Sequence, residues 1–453
     1  MISNFLVKSV GFLTTPIFTR LLTKADFGAY NNYTSWLSII SVFLTLNLHA
    51  TLISARYDYE DRFDQYIFSM LGLSSLVSFI GLVIVNVFPA QISAFFQIDI
   101  RYMNAMLAYL LFFPAITMFQ TKEVYLFEYK KSVFCSLLLA ISTALLSVVL
   151  VVVMHDKLEA RILGSVVPTI VLGIILFVFF GMRGKKIITS FWKYALPISL
   201  PYIPHLLSMS LLNSMDRVMI TRYCGNEQTA LYSLAYSCGA IVTILLTAIN
   251  NAFAPWLANN LNCKNYKEIR SFSYKYITIF FILVVGIMLL SPEILLILGG
   301  KSYMEAIYVL APVSMGCACQ FLYTMYVNVE QFLKKTVGMA IASAVAACVN
   351  YVLNYIFIRR IGYLAAAYTT LAGYLCLLAI HIYLVKRLGM SDVFNAKYVI
   401  ATVIVGVVIM VGITWLYSYS IIRHIVIVAY FVVLTIFLFV NKHNIKRIQM
   451  ILK

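Results

Sequence analysis

The sequence predicts an all-α integral membrane protein of about 14 transmembrane helices, two parallel six-helix lobes around a central cavity plus two C-terminal helices. Three observations carry that expectation: an apolar surplus that no soluble core can hide, fourteen apolar runs of spanning length, and an internal repeat. Of 453 residues, 62% are hydrophobic and 11% charged, whereas soluble domains hold roughly 45–50% and about 25%. A helix crossing a hydrocarbon core ~30 Å thick uses about 20 apolar residues. Fourteen such helices with their ends take roughly 310 positions, which leaves short connections and no room for a folded soluble domain.

The runs follow in order. The first six cover 2–22, 29–54, 65–88, 102–121, 132–154 and 160–181. The next six cover 195–221, 229–254, 272–297, 304–328, 335–357 and 363–385, and the last two 397–417 and 423–441. All are long and apolar enough to span. The longest connection, about 17 residues around Asn260, is too short for an extramembrane catalytic module. The start has neither a basic n-region nor a small-x-small cleavage site, so it does not read as a removable signal peptide.

Loop charge sets the orientation. Basic residues number 34 against 17 acidic ones. With the N-terminus inside, 22 of the 34 fall in the cytoplasmic loops and tail, 10 on the opposite side, and Lys8 and Arg217 within helices. Both termini are therefore expected in the cytoplasm. The positive balance is topological, and nucleic acid is not needed to explain it.

The repeat lies in Thr19-Arg20 followed by Tyr30, and Thr221-Arg222 followed by Tyr232, at a constant offset of 202 residues. Each stretch joins the first run of a six-helix set to the second. Six is even, so both sets enter the membrane in the same direction and form parallel lobes with a path between them. The expected divisions are 1–186, 187–390, and 391–453 with two further helices and a basic cytoplasmic tail.

Polar residues at membrane depth are costly unless they face protein or water, so their helical phase locates a cavity. In the first run Asn4, Lys8, Gly11, Thr15 and Thr19 share a face, and in the second Asn31, Thr34, Ser35, Ser38, Thr45 and His49 do. The seventh gathers Tyr202, His205, Ser208, Asn213 and Asp216, and the eighth Tyr232, Tyr236, Gly239, Thr243, Thr247 and Asn250. Four matching faces are expected to line one cavity. The competing reading is that hydroxyls and amides glue neighbouring helices together.

The charges narrow the cavity's character. Lys8 either snorkels inward or points into the cavity, and Asp216 with Arg217 reads as an interfacial ion pair. His205 near the midplane is either a proton carrier or a hydrogen-bonded neutral ring. Pro201 and Pro204 either break or kink the seventh run. With Lys8 inside and Arg20, Arg217 and Arg222 at its mouths, the cavity favours a phosphate or pyrophosphate over an organic cation. No catalytic, cofactor or metal motif accompanies it. Gly299-Gly300-Lys301-Ser302 lacks the strand and earlier glycine of a phosphate loop, and the eight cysteines contain no CxxC pair.

At these residues the chain resembles bacterial polysaccharide (O-antigen) flippases of the multidrug/oligosaccharidyl-lipid/polysaccharide exporter superfamily. The resemblance rests on Thr19-Arg20-Leu21-Leu22 through Phe27-Gly28-Ala29-Tyr30, and on Asn213-Ser214-Met215-Asp216-Arg217 through Tyr232-Ser233-Leu234-Ala235-Tyr236. It continues in Ser291-Pro292-Glu293-Ile294-Leu295, and in Asn350-Tyr351-Val352-Leu353-Asn354 followed by Gly362 and Ala365-Ala366-Ala367. It spans residues 1–390 in order and implies alternating access that moves an undecaprenyl-diphosphate-linked oligosaccharide between leaflets, with the tail left in lipid. It also implies a coupling ion, H+ or Na+, and a polysaccharide polymerase as partner. Members usually carry a dozen or so more residues before the first helix core. The two extra C-terminal helices match the relative that flips the peptidoglycan precursor, which keeps that substrate as an alternative. A cation-coupled multidrug antiporter would need cavity carboxylates, and a membrane enzyme a large catalytic loop; this sequence is poor in both.

Overall fold

A computed structural model describes residues 2–440, with side chains from Ser9 onward except at 240, 437, 438 and 440. The Lys8 side chain and the basic tail (Lys442, Lys446, Arg447, Lys453) lie outside the described residues. The described chain is helical and forms two compact units, divided between Ala230 and Leu231.

The first unit holds α1 (Ile2–Leu21), α2 (Lys24–Leu44), α3 (Leu52–Asp58), α4 (Phe63–Val87) and α5 (Pro89–Phe96). It continues with α6 (Ile100–Tyr125), α7 (Tyr129–Val153), α8 (Lys157–Gly184), α9 (Ser190–Ser199) and α10 (Ile203–Cys224). Helix α11 (Asn226–Asn262) begins there and runs into the second unit. The second unit adds α12 (Tyr266–Leu289), α13 (Ser291–Gly299), α14 (Ile307–Phe332), α15 (Thr336–Ile361), α16 (Tyr363–Arg387), α17 (Ala396–Leu416) and α18 (Ser420–Val440). By contact α9 and α10 group with the helices before them, α9 against α4 and α10 against α2.

Each of the fourteen apolar runs carries a helix. Among the described residues, eleven helices are individually long and apolar enough to span a membrane, and twelve if the bent pair Lys24–Leu44 and Leu48–Asp58 counts as one. Helix α18 is shorter by that measure, so the count of fourteen stands as an expectation. The second run does not continue straight to residue 54. Leu46 and Asn47 take left-handed backbone (φ 50° and 51°) and turn the chain by 47°, a conformation that Asn tolerates better than most residues. The seventh run is interrupted by a 3-10 turn over Leu200–Tyr202 that holds Pro201, with Pro204 in the first turn of α10. The long connection expected near Asn260 is instead helix. Only Cys263, Lys264 and Asn265 separate α11 from α12.

Helix starts are capped as the local sequence allows. Thr23 accepts from the Asp26 N–H ahead of α2, and Asp156 from the Glu159 N–H ahead of α8, each satisfying an otherwise orphaned donor. The outer face of α7 presents Phe134, Leu138, Ile141, Leu145, Val149 and Val152, as a lipid-facing helix should. Its opposite face meets α8 so closely that a Cβ on Gly164 would lie 2.3 Å from Cα of Ser147. Small residues permit such approach where burial in lipid offers no hydrophobic driving force.

A second repeated feature emerges from the backbone. Helices α6 and α14 end two residues after a buried glutamate, Glu123 and Glu330. Both chains then turn through a left-handed residue, Phe127 (φ 61°) and Lys334 (φ 59°). The next N–H donates back to the glutamate carbonyl, Glu128 to Glu123 at 2.8 Å and Lys335 to Glu330 at 2.9 Å. The same Schellman-type closure ends α11 (Asn265 N–H to Asn260 O at 2.9 Å) and α16 (Met390 N–H to Val385 O at 3.1 Å), but at α6 and α14 it closes on a buried glutamate.

The last two helices dock on α12. Tyr417 Oη donates to Met288 O at 2.7 Å, Tyr430 Oη donates to Ile282 O at 2.6 Å, and Tyr430 lies over Gly286. Arg423 grips Glu293 with a two-point fork at 2.6 and 2.7 Å and reaches Leu289 O at 3.1 Å.

Candidate substrate cavity

Helices α1, α2, α6, α7 and α8 of the first unit enclose a cavity of about 460 Å³. Its walls are aromatic and neutral-polar: Tyr30, Tyr33 and Tyr109 beside Thr14, Thr34, Gln120, Ser136, Thr143, Ser165 and Thr169. Among the described residues, Arg161 is the one charged residue in the lining. Its guanidinium sits 3.8 Å from the Phe18 ring centroid and 4.4 Å from that of Tyr30, and Nη1 donates to Ser147 Oγ at 2.6 Å. The α7–α8 approach at Gly164 places Ser147 for that bond. Gln120 Nε2 donates to Ser136 Oγ at 3.0 Å, tying α6 to α7. Among the described residues no acid lines the cavity, and no three of His, Cys, Asp and Glu converge as metal ligands would.

The expected site residues distribute unevenly. Thr34 lines the cavity, while its stripe-mates Asn31 and Ser35 bond their own helix, Asn31 Nδ2 to Phe27 O and Ser35 Oγ to Asn31 O, both at 2.7 Å. His49 is half-buried beyond the bend of α2. Arg20 and Arg222 are exposed at the ends of α1 and α10, and Arg20 Nη1 donates to Pro16 O at 2.8 Å. On α10, Asp216 is buried, His205 and Asn213 are half-buried, and Arg217 donates to Asn213 O at 3.0 Å. Helices α2 and α10 meet through Ser38 and Ser210 at 3.2 Å. In the second unit, Tyr236 and Thr243 are half-buried, and Asn250 accepts from Asn328 Nδ2 at 2.8 Å. Asn350, Asn354, Thr369 and Thr370 form one buried hydrogen-bonded cluster.

Sequence reasoning missed Arg161, Tyr33 and Tyr109. Arg161 is one of the ten basic residues that loop charge places on the external side, at the start of the run 160–181, yet Arg161, Ser165 and Thr169 recur at i, i+4 and i+8, the same helical stripe that marks the other helices.

The comparisons with known proteins decide the family. The model of the polysaccharide biosynthesis protein family matches residues 1–261, more than half of the chain. The chain belongs to that family. The MatE model matches residues 201–356. Among solved structures, a lipid II flippase, MurJ, in an inward closed conformation aligns with TM-score 0.73 and 13% identity over 96% of this chain and 98% of its own. An inward-facing MATE-family multidrug resistance transporter of the MOP superfamily aligns with TM-score 0.61 and 16% identity over 86% and 95%. An uncharacterized membrane protein of Methanocaldococcus jannaschii is 21% identical over 90% of this chain and 86% of its own. The chain thus shares the fold of these two transporters, and its eleven apolar helices of spanning length among the described residues are those of a multi-pass membrane protein.

Proposed function

We propose that this member of the polysaccharide biosynthesis protein family flips an undecaprenyl-diphosphate-linked oligosaccharide, an O-antigen or capsule repeat unit, across a bacterial inner membrane. The observation that carries the reading is the chemistry of the cavity in the first unit, tyrosine faces and neutral hydroxyls around one arginine with no acid. Tyrosine rings suit the C–H faces of sugars, hydroxyls and the Gln120 amide suit sugar hydroxyls, and a guanidinium suits a phosphate oxygen. A cation substrate would meet Arg161 and no carboxylate.

The remaining parts follow from the same reading. Lobes 1–186 and 187–390 alternate access, and Lys8, Arg20, Arg217 and Arg222 attract the diphosphate. Both termini lie in the cytoplasm, a coupling ion drives the cycle, and a polymerase receives the product. An apolar groove of about 490 Å³ between α12, α17 and α18, lined by Phe281, Val285, Val405 and Ile409, suits the polyprenyl tail.

The test is complementation of a strain lacking its own O-antigen flippase. The wild-type chain restores surface polysaccharide, and Lys8→Ala, Arg217→Ala and Arg161→Ala at equal membrane abundance do not. Full restoration by all three removes the charge-based assignment. A second reading, transport of the peptidoglycan precursor, draws on α17 and α18, which the MurJ alignment covers. Rescue of a strain depleted of its peptidoglycan-precursor flippase, without restored O-antigen, would favour that substrate.

A further inference from the structure

The second unit buries an acid and a base that the transport reading leaves unused. Glu330, two residues before the end of α14, is 1% exposed, and His381 on α16 is 2% exposed. Nδ1 of His381 lies 2.7 Å from Oε1 of Glu330, while the second carboxylate oxygen, Oε2, has no hydrogen-bond partner. The Tyr323 ring stacks on the imidazole at 5.7 Å and 16°, holding it in register with the acid. Glu330 also forms part of the lining of a pocket of about 480 Å³ at this end of α14.

We propose that Glu330 and His381 together form a proton-binding site. At 2.7 Å one proton already lies between Nδ1 and Oε1. With only that proton the pair carries one negative charge in a buried place, and no hydrogen bond to Oε2 offsets its loss of water. A second proton makes the pair neutral.

The equivalent corner of the first unit shows what a permanent counter-ion looks like. There the buried Glu123 faces Lys131 at 3.7 Å. A lysine stays charged across neutral pH, whereas a histidine changes charge between about pH 5 and 8. Oε2 of Glu123 likewise has no hydrogen bond, but its ion-pair partner is permanently charged, whereas the partner bonded to Glu330 changes its charge with a proton. The charged groups facing Glu330 are Lys334 and Lys335 on the turn after α14 and Arg387 at the end of α16. Helix α15 contributes Thr336, Val337 and Gly338 to the same pocket, none of them titratable. Three cations at the entrance oppose a resident metal ion, while a proton reaches the carboxylate along water. The coupling ion of the proposed transport cycle would then be H+, a step that rests on that reading, whereas proton binding itself does not.

The test counts protons. The purified full chain is titrated between about pH 5 and 8 with a pH indicator, beside Glu330→Gln and Glu123→Gln. The wild type and Glu123→Gln should take up about one proton per chain more than Glu330→Gln, because the amide removes the carboxylate charge that the second proton neutralises. Nitrogen-15 NMR of labelled histidine gives a readout independent of any glutamate variant. The signal missing from His381→Gln should move across the same pH range in the wild type. Equal uptake by wild type and Glu330→Gln, or a His381 signal fixed throughout, would overturn the site. So would uptake that falls when sodium chloride replaces potassium chloride at constant ionic strength, since that would assign the site to sodium.

Discussion

Arg161 is held by two aromatic faces and a serine hydroxyl, which fixes a planar cation and not merely a positive charge. Arg161→Lys keeps the charge and loses the fork and the stacking. Each cation–π contact is worth about 0.5–2 kcal/mol, so thermal unfolding of the purified variant should register a loss of roughly 1–3 kcal/mol. Surface polysaccharide should fall at unchanged membrane abundance. A variant that matched the wild type in both would take Arg161 out of the site. Legibility at this scale depended on where a cation was placed. Arg20 and Arg222 stood out as repeat markers, but Arg161, one turn into its helix, looked like a loop residue until its i+4 and i+8 partners were seen together.

Glu293 offers a prediction in pH. Burial alone favours its neutral form, but the Arg423 fork, its own backbone N–H and the charge of His424 outweigh burial and hold the carboxyl below its ordinary range. A depressed folded-state value means the contribution is present above the unfolded value, about 4.3, and is lost as pH falls through the folded one. Melting temperature should therefore hold from pH 7 to about 5 and drop below about 4. Arg423→Gln should remove that drop and lower stability at pH 7 by about 1–2 kcal/mol, since Glu293 keeps partial contact with water. An unchanged acid profile in the variant would mean that other carboxylates dominate.

At the scale of elements, glycine positions separate close contacts from idle ones. A Cβ on Gly28 would fall 1.8 Å from the carbonyl oxygen of Asn226 and 3.1 Å from N of Ala230. Gly28 and Ala230 stand at the 202-residue offset of the repeat, so the motif glycine is there for backbone approach. Gly28→Ala should destabilise by about 1–3 kcal/mol through overpacking, and Gly164→Ala should do the same against Ser147. Gly11→Ala meets nothing within 4 Å and should be neutral or stabilising by up to about 1 kcal/mol, because alanine favours helix. Unfolding of the three variants in one detergent checks the sign of each.

The helical character of the chain was legible because lipid demands long apolar runs, and eleven of its helices among the described residues have spanning length. The breaks were not, because hydropathy is blind to backbone dihedrals. The bend at Leu46 and Asn47 lies within an apolar window, and the α11–α12 turn hides in polar residues that read as a long loop. The repeated glutamate corners were missed for a related reason. Their kinship lies in a left-handed turn and one hydrogen bond, while three of the four residues between Glu123 and Glu128 differ from those between Glu330 and Lys335.

For the whole molecule, the remaining question is what the segment after Met390 adds. Helices α17 and α18 are joined to α12 by the hydroxyls of Tyr398, Tyr417 and Tyr430, with Tyr398 meeting Thr278 at 2.6 Å, and to Glu293 of α13 by the Arg423 fork. Yet their outer faces stay apolar and exposed, with Ile404, Val408, Ile425 and Val428 among them. Attachment this specific beside a groove lined by Phe281, Val285 and Val405 suits a lipid chain that must be held while its head crosses. A chain truncated after Met390 should therefore still insert, since α4 through α16 keep their own packing, but should fail to restore surface polysaccharide. Filling the groove by Val405→Trp in the full chain separates the lipid role from a stabilising one. It should cut polysaccharide at unchanged melting temperature, whereas a purely structural segment would lose both together.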